Sequence, residues 1–203
     1  MLAFQPSTIV IATRNRGKLR EFRSLLSPSG LTLLSLEDAG LDGDFEETGN
    51  SFAENARLKA LAWSGRSEYP VLADDSGLEV FALERRPGIY SARYAGPGAS
   101  DADRIAKLLE EIKGIGGDRS ARFVCALALA HRGALMIETE GECRGVIAES
   151  PRGCNGFGYD PVFLFPELGR TYAELSEQEK NRHSHRANAI LALCARMALP
   201  RWH

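Results

Sequence analysis

The alternation of segments near the start of the chain constrains its fold more than any other feature. STIVIATRN is rich in Ile and Val, so it predicts a buried strand at about Thr8 to Ala12. The next segment, RGKLREFRSLL, predicts a helix, because its apolar residues recur at helical spacing and share one face. SPSG then ends the helix, and LTLLSL predicts a second strand. A strand, a short loop and a helix in this order predict an α/β fold.

The remainder of the chain adds both helices and strands. Ser51 and Ser100 each stand three residues before an acid, a spacing that predicts capped helix starts. VLADD and LEVFAL predict two separate strands, ARFVCALALAH and ALMIETEGECRGVIAE predict a long hairpin, and VFLF predicts a short strand. SHRANAILALCARMA predicts a final helix, for which Ser184 is a candidate cap. Strands that follow strands, together with helices, predict a mixed sheet rather than a purely parallel one.

Composition and charge exclude several classes of protein. The chain has 203 residues, which suits one domain or two lobes that share a core. Its formal net charge of -2 gives no reason to expect nucleic-acid binding, and no apolar run reaches the roughly 20 residues that span a bilayer. The first segment lacks a basic region before its apolar stretch, so no signal peptide is predicted. The four cysteines show no close spacing, which predicts a reduced, cytoplasmic protein with Cys125 and Cys194 in its core.

Two adjacent carboxylates, Asp74 and Asp75, interrupt the apolar segment VLADDSGLEV. Like charges repel, and the burial of either one costs free energy. One interpretation is a solvated turn, because Asp, Ser and Gly favour turns. The other is a site for a positive group such as a metal ion. Successive strand residues point to opposite faces, so both carboxylates can serve one site only if the chain turns at Ser76–Gly77.

Two segments in the first third of the chain carry polar residues at helix starts. TRNRGK, residues 13–18, lies where a strand meets a helix, and helix starts bind phosphate. It is not a P-loop, because Leu follows Lys18 where Ser or Thr is required, and a simple turn with a solvated Lys is the alternative. In FEETGNSFAENARLKA, Glu46 and Glu47 precede a helix, where acids favour the dipole in any case. Asn55 and Lys59 share a face of that helix.

Two later segments carry further candidates. GCNGFGYDP surrounds Phe157 with glycines that let a ligand approach the backbone, although a turn with a core Phe is the commoner case. EQEKNRHSHRANA brings Lys180, His185 and Arg186. For the last two residues, a solvated and charged helix start is the alternative to a binding role.

Six segments in a fixed order are more informative than any one of them. IATRNRGKLREF, FEETGNSFAENARLKA, LADDSGLEV, PGIYSARYAG, GFGYDPVF and ELSEQEKNRHSHRANA resemble the inosine triphosphate pyrophosphatase family, also called the dITP/XTP pyrophosphatases. The resemblance runs from about Ile9 to the final helix.

This resemblance implies an elongated α/β fold with a mixed central β-sheet flanked by helices, and two lobes with an active-site cleft between them. Residues 1–203 would form a single domain of this kind. It also implies a homodimer that uses Mg²⁺ to hydrolyse ITP, dITP and XTP to the monophosphate and pyrophosphate, which removes deaminated purines from the nucleotide pool. The partners would be the nucleoside triphosphate and a second copy of the chain, with no nucleic acid and no membrane.

The resemblance also implies roles for individual residues. Glu46 and Asp75 would hold Mg²⁺, Asp75 would accept a proton, and Asp74 is a candidate to share that task. Residues 13–18 and Lys59 would bind the phosphates, and residues 157–160 with His185, Arg186 and the nearby Lys180 would surround the base. As a hypothesis of our own, donors such as Arg186, His185 and loop N–H groups would pair with the 6-oxo group and reject adenine, because unpaired desolvated donors are costly. The implied substrate-binding residues are Thr13, Arg14, Asn15, Arg16, Gly17, Lys18, Lys59, Ser76, Phe157, Gly158, Tyr159, Asp160, Lys180, His185 and Arg186.

Two alternatives remain. One is a Maf-type nucleotide pyrophosphatase that acts on modified pyrimidine or standard nucleotides, which the segments GFGYDP and SHR disfavour. The other is a non-catalytic nucleotide-binding module, which Lys18, Glu46 and Asp75 disfavour.

Overall fold

The computed structural model describes residues 6–115 and 117–200. The strands are β1 (Thr8–Ile11), β2 (Thr32–Ser35), β3 (Val71–Val80), β4 (Ser120–His131), β5 (Ala134–Ile147), β6 (Phe163–Phe165) and β7 (Arg170–Thr171). The α-helices are α1 (Arg16–Leu26), α2 (Phe52–Ser64), α3 (Asp101–Lys113), α4 (Glu177–His183) and α5 (His185–Met197). Short 3-10 helices occupy Ser27–Ser29, Phe81–Leu83, Gly88–Arg93 and Tyr172–Glu174.

The strands form one seven-stranded sheet in the order β2-β1-β3-β4-β5-β6-β7. β1 runs parallel to both β2 and β3, whereas β6 pairs antiparallel with both β5 and β7. The predicted α/β fold with a mixed sheet is therefore confirmed.

Local sequence signals account for several element boundaries. The side chain of Asn15 caps α1 by accepting a hydrogen bond from the Lys18 N–H, and Ser51 caps α2 through the Glu54 N–H. At α3, Ser100 and Asp103 form the reciprocal capping box that their spacing predicted. The hairpin between β4 and β5 turns at Arg132 and Gly133, whose φ values of 52° and 74° suit a two-residue turn.

The predicted break at Ser76–Gly77 is wrong. VLADD and the start of LEVFAL belong to the single strand β3, which runs without interruption from Val71 to Val80. The apolar residues on both sides of the acids are buried and continue the strand, whereas turn propensity is only a local preference. The two-residue strand β7 was not predicted, because so short a segment carries no periodicity.

The chain divides into two compact units. The first comprises the residues up to Asp75, Cys125–Gly141 and the residues from Arg186 onward. Its apolar core is built by strands β1, β3 and β4 with helices α1 and α5, and includes Ile9, Phe22, Leu72, Leu127 and Ile190.

The second unit comprises Ser76–Val124 and Glu142–His185. Its core includes Leu78, Leu108, Phe123, Phe163 and Tyr172. The rings of Phe123 and Phe163 lie 4.5 Å apart, and those of Phe163 and Tyr172 lie 4.9 Å apart, so aromatic packing dominates this core.

The four cysteines, all within the described part of the chain, are not paired with one another, and Cys125 and Cys194 are buried as predicted. Within residues 6–115 and 117–200, no helix is both long and apolar enough to cross a membrane. The signal-peptide expectation rests partly on residues 1–5, which lie outside the described residues.

Candidate active site

A buried ionic cluster occupies the first unit where β3, α1 and α5 meet. The Lys18 ammonium lies 2.8 Å from Oδ2 of Asp74, and Nη2 of Arg186 lies 3.7 Å from the same oxygen. Arg186 also donates a hydrogen bond to the carboxylate of Glu21. The side chain of Asp74 is only 1% exposed and that of Arg186 only 2%. Two cations and two carboxylates thus neutralise one another inside the protein.

These cations decide the protonation state of Asp74. Burial alone would raise the pKa of its carboxyl, but the charges of Lys18, Arg186 and Lys59 outweigh burial and lower the pKa to about 2. Asp74 therefore stays ionised at neutral pH. Its geometry suits an anchor for Lys18 and disfavours the predicted share in proton transfer.

The neighbouring Asp75 has different partners. Its Oδ2 accepts a 2.9 Å hydrogen bond from Nδ2 of Asn55, whose own Oδ1 accepts one of 2.7 Å from the Gly49 N–H. Burial, and next the charge of Glu47, raise the pKa of Asp75 to about 6, although Lys18, the Asn55 bond and Lys59 oppose this. Asn55 thus fixes the orientation of a carboxyl whose pKa, with no metal ion bound, lies well above its ordinary range.

Lys59 of α2 lies beside both acids. Its ammonium donates to Oε1 of Glu47 at 2.5 Å and to the backbone carbonyl of Asp74 at 3.0 Å. Burial lowers its pKa, but the charges of Asp74 and Glu47 produce a net rise, so Lys59 stays positively charged. The predicted shared face of Asn55 and Lys59 is confirmed, since both side chains reach the Asp74–Asp75 segment.

The structure distinguishes the two adjacent glutamates. Glu46 is exposed, whereas Glu47 is half-buried, binds Lys59 and acts electrostatically on Asp75. The resemblance assigns Mg²⁺ to Glu46, and this stays a prediction; the contact of Glu47 with Lys59 was not predicted. The sequence argument also left Asn55 without a role and did not identify Glu21, although Glu21 lies three residues after Lys18 and hence on a similar face of α1.

The turn before α1 is shaped by its own side chains. Oδ1 of Asn15 accepts from the Lys18 N–H at 3.0 Å, and Oγ1 of Thr13 accepts from the Asn15 N–H at 3.2 Å. Arg14 donates to the carbonyl of Gly43. The remaining predicted residues of this segment, Arg16 and Gly17, form the first turn of α1. This arrangement directs Lys18 toward Asp74, so the solvated lysine of the alternative interpretation is not observed.

The second unit holds the glycine-rich loop. Oδ2 of Asp160 accepts hydrogen bonds from the Phe157 N–H at 2.9 Å and from the Lys180 ammonium at 2.5 Å. That ammonium lies 5.0 Å from the centre of the half-buried Phe157 ring. The hydroxyl of Tyr159 donates to the carbonyl of Ser91 at 3.0 Å. These contacts of Asp160 and Lys180 therefore stabilise the loop itself.

His185 and Arg186 are buried in the first turn of α5, so the alternative of a solvated helix start is wrong. The His185 ring stacks on Phe123, with centroids 4.7 Å apart and planes inclined by 16°. The Arg186 guanidinium balances the charges of its carboxylate partners, Glu21 and Asp74. Its role in base recognition stays a prediction. Ser76 lies within β3 and is partly exposed.

The donors present are compatible with a magnesium site that bound substrate would complete. Among the described residues, no cluster of three or more His, Cys, Asp or Glu side chains is placed to hold a metal ion. Mg²⁺ commonly takes only one or two carboxylates together with substrate phosphates. Asp75 and Glu47 fit that pattern, because the charge of Glu47 raises the pKa of Asp75 and a dication would relieve their repulsion.

Comparison with known proteins gives concordant matches over almost the whole chain. The model of the Ham1 family matches residues 9–196. The dITP/XTP pyrophosphatase of Geobacillus kaustophilus is 55% identical over 186 residues, 91% of each chain, and that of Gloeobacter violaceus is 52% identical over 185 residues. A HAM1 protein structure from Coxiella burnetii has a TM-score of 0.87 at 43% identity, and covers 95% of this chain and 99% of its own. A nucleoside-triphosphatase / dITP/XTP pyrophosphatase from Mycobacterium abscessus has a TM-score of 0.74 at 42% identity, with 92% and 98% covered.

Proposed function

The chain belongs to the Ham1 family, and we propose that it hydrolyses the non-standard purine nucleotides ITP, dITP and XTP to the monophosphate and pyrophosphate. Relatives named dITP/XTP pyrophosphatases, about half identical over nine-tenths of the chain, support this activity. The observation that carries the proposal is the pair of adjacent acids on β3. Asp74 is ionised at neutral pH and binds Lys18, while Asp75 is held by Asn55 and has a raised pKa.

The different partners and pKa values of Asp74 and Asp75 suggest different roles in the reaction. Asp75 would orient a water molecule that attacks the α-phosphorus, and the bond from that phosphorus to the β-phosphate oxygen would break to release pyrophosphate. Because a bound Mg²⁺ would lower the pKa of Asp75, positioning of the water is its main role and the proton passes on to solvent. Lys18 and Lys59 would offset negative charge on the phosphates. Asp74 would hold Lys18 in place and, through its low pKa, would not compete for the proton.

Mg²⁺ is part of the proposal, with Asp75 and Glu47 as its protein ligands in place of Glu46. A divalent cation supplies charge neutralisation on the phosphate oxygens during transfer. The half-buried position of Glu47 and its effect on Asp75 support the choice. The exposed Glu46 has no comparable support.

For the base, we propose that the loop of residues 157–160 contributes recognition together with Lys180 and His185. The half-buried Phe157 ring offers an aromatic surface, and the Lys180 ammonium fixes the loop by binding Asp160. Discrimination against adenine would follow from donors matched to a 6-oxo group, which a 6-amino group leaves unpaired.

The proposal also covers the oligomeric state and the cellular location. A homodimer is implied by the resemblance stated above, and light scattering on the purified chain would measure its mass. A cytoplasmic location is supported by the four cysteines, which lie in the described part of the chain and are not paired with one another.

The deciding experiment is a pyrophosphate-release assay on ITP, dATP and dTTP, with and without Mg²⁺. The proposal expects Mg²⁺-dependent release from ITP and far slower release from the other two. Preferred cleavage of dTTP would point instead to a pyrimidine-directed pyrophosphatase, and no release from any substrate would point to a binding module.

A matched pair of variants tests the ligand assignment. Glu47→Gln should raise the Mg²⁺ concentration required for half-maximal rate, whereas Glu46→Gln should behave as the wild type. The reverse result would restore Glu46. Asp75→Asn should lower turnover by orders of magnitude with little change in stability, and near-normal turnover would remove Asp75 from the reaction.

A further inference from the structure

The loop of residues 157–160 is held from outside by a residue to which neither the motifs nor the comparisons assign a role. The Gly158 N–H donates a 2.7 Å hydrogen bond to Oδ2 of Asp101, which lies 57 residues earlier in the chain. Asp101 is the first residue of α3. Both residues belong to the second unit.

Asp101 is not needed to cap its own helix. Ser100 and Asp103 already form the reciprocal capping box of α3. The second carboxylate oxygen of Asp101 binds the Arg104 guanidinium, and Arg104 in turn donates to the carbonyls of Ala92 at 2.9 Å and Ala99 at 2.6 Å. The acceptor that faces Gly158 is therefore fixed in position by a guanidinium that is itself fixed.

This contact acts on one particular peptide group. The carbonyl of Phe157 accepts from the Asp160 N–H at 3.3 Å, while the N–H of the same peptide, on Gly158, donates to Asp101. Gly158 has a φ of 63°, a region that glycine enters and leaves at little cost. Without the Asp101 bond, the N–H side of this peptide loses that partner, which loosens the hold on a ring that Asp160 and Lys180 also help to place.

We propose that Asp101 is a positioning residue for base recognition, which holds the Phe157–Gly158 peptide in the orientation that a 6-oxopurine requires. The inference rests on the proposed function and extends it to a residue outside the recognition loop. The Asp101 side chain is 45% exposed, so its removal leaves no core cavity and is not expected to unfold the protein.

The test compares Asp101→Ala with Asp103→Ala, which removes an acid from the same helical turn but touches only the cap. Steady-state rates are measured for ITP and ATP. Loss of a charge-assisted hydrogen bond predicts about a tenfold fall in kcat/KM for ITP in Asp101→Ala, chiefly as a higher KM. The 6-amino group of ATP does not pair with the donors proposed for the 6-oxo group, so kcat/KM for ATP should change less. The ratio of kcat/KM for ITP to that for ATP should therefore fall. Asp103→Ala should lower the melting temperature and leave that ratio unchanged.

A conservative variant and a direct structural readout separate positioning from general damage. Asp101→Asn keeps one acceptor for the Gly158 N–H but loses the bond to Arg104, and should restore part of the ITP preference. Hydrogen exchange of the Gly158 amide, followed by NMR in the substrate-free protein, should accelerate in Asp101→Ala and stay at the wild-type rate in Asp103→Ala.

The outcomes distinguish this inference from the proposed function. A wild-type chain without ITP-over-ATP preference would overturn the proposed function, and this inference with it. A wild-type preference that Asp101→Ala fully retains, or a Gly158 exchange rate unchanged in that variant, would overturn the role of Asp101 alone. A fall in preference that Asp101→Asn does not restore would show that the charge, rather than the bond to Gly158, matters, and would also overturn it.

Discussion

Removal of the guanidinium of Arg186 should destabilise the protein far more than removal of an exposed guanidinium. Arg186→Met keeps much of the apolar stem but removes the guanidinium that binds the Glu21 carboxylate, which is 8% exposed. Asp74 loses one cation but keeps Lys18 at 2.8 Å, so most of the cost falls on Glu21. Breaking a buried pair from one side typically costs about 3–5 kcal/mol.

The loss of unfolding free energy in Arg186→Met can be compared with that of a matched control in the same unit. For a chain of 203 residues, a loss of this size corresponds to a fall in Tm of about 6–20 °C. Arg57 forms a two-bond pair with Glu138, but the side chains are 47% and 34% exposed. Arg57→Met should therefore cost only about 0.2–1 kcal/mol.

The assay is urea unfolding followed by tryptophan fluorescence in a Trp202→Phe background, so that the signal reports Trp63, which is buried in the first unit. Adding Glu21→Gln to Arg186→Met should recover more than half of the loss, because the uncompensated charge disappears. If Arg186→Met is no more destabilising than Arg57→Met, or if Glu21→Gln recovers nothing, the charge-balance reasoning is wrong.

Three further predictions concern other parts of the chain. The Arg170 guanidinium is the main cause that lowers the pKa of Glu179 to about 2. The stability that this carboxylate contributes is therefore present above its ordinary pKa and is lost as the pH falls toward 2. Arg170→Ala should raise the pKa of Glu179 in an NMR titration, and an unchanged pKa would contradict the assignment. Gly156→Ala should cost at least about 1–2 kcal/mol in urea unfolding, because φ is 77° and the new Cβ would lie 2.0 Å from Oδ2 of Asp160; a neutral result would show that this loop adapts freely. An aromatic disulfide reagent should modify only the exposed Cys154 in the native protein and all four thiols after unfolding, and rapid native modification of a second thiol would refute the burial pattern.

Much of the fold follows from local sequence signals. Helix α1 shows an apolar face, α3 carries a complete capping box, and the β4–β5 hairpin has a turn with glycine at one of its two positions. Each signal lies within a few residues of the element that it predicts. The continuity of β3 was missed, because Asp-Asp-Ser-Gly favours a turn locally, while the cations that neutralise Asp74 come from distant helices.

The candidate site was predictable in its types of residue more than in its contacts. Lys18, Lys59 and Asp75 were identified from motifs, and they lie in or beside the ionic cluster. The pairing of Glu21 with Arg186 joins residues 165 positions apart, and no local pattern encodes it. The choice between two adjacent glutamates likewise depends on the path of a loop.

The uninterrupted course of β3 makes the site intolerant of length changes. Val10 faces Val71 and Ile11 faces Leu72 across the parallel pair. This alignment sets the positions of Asp74, which meets Lys18, and of Asp75, which meets Asn55. Deleting Ala73 would invert every following side chain, move Asp75 into the position of Asp74 and leave Ser76 in the position of Asp75. Insertions should therefore be far better accepted in surface loops than anywhere in these few positions.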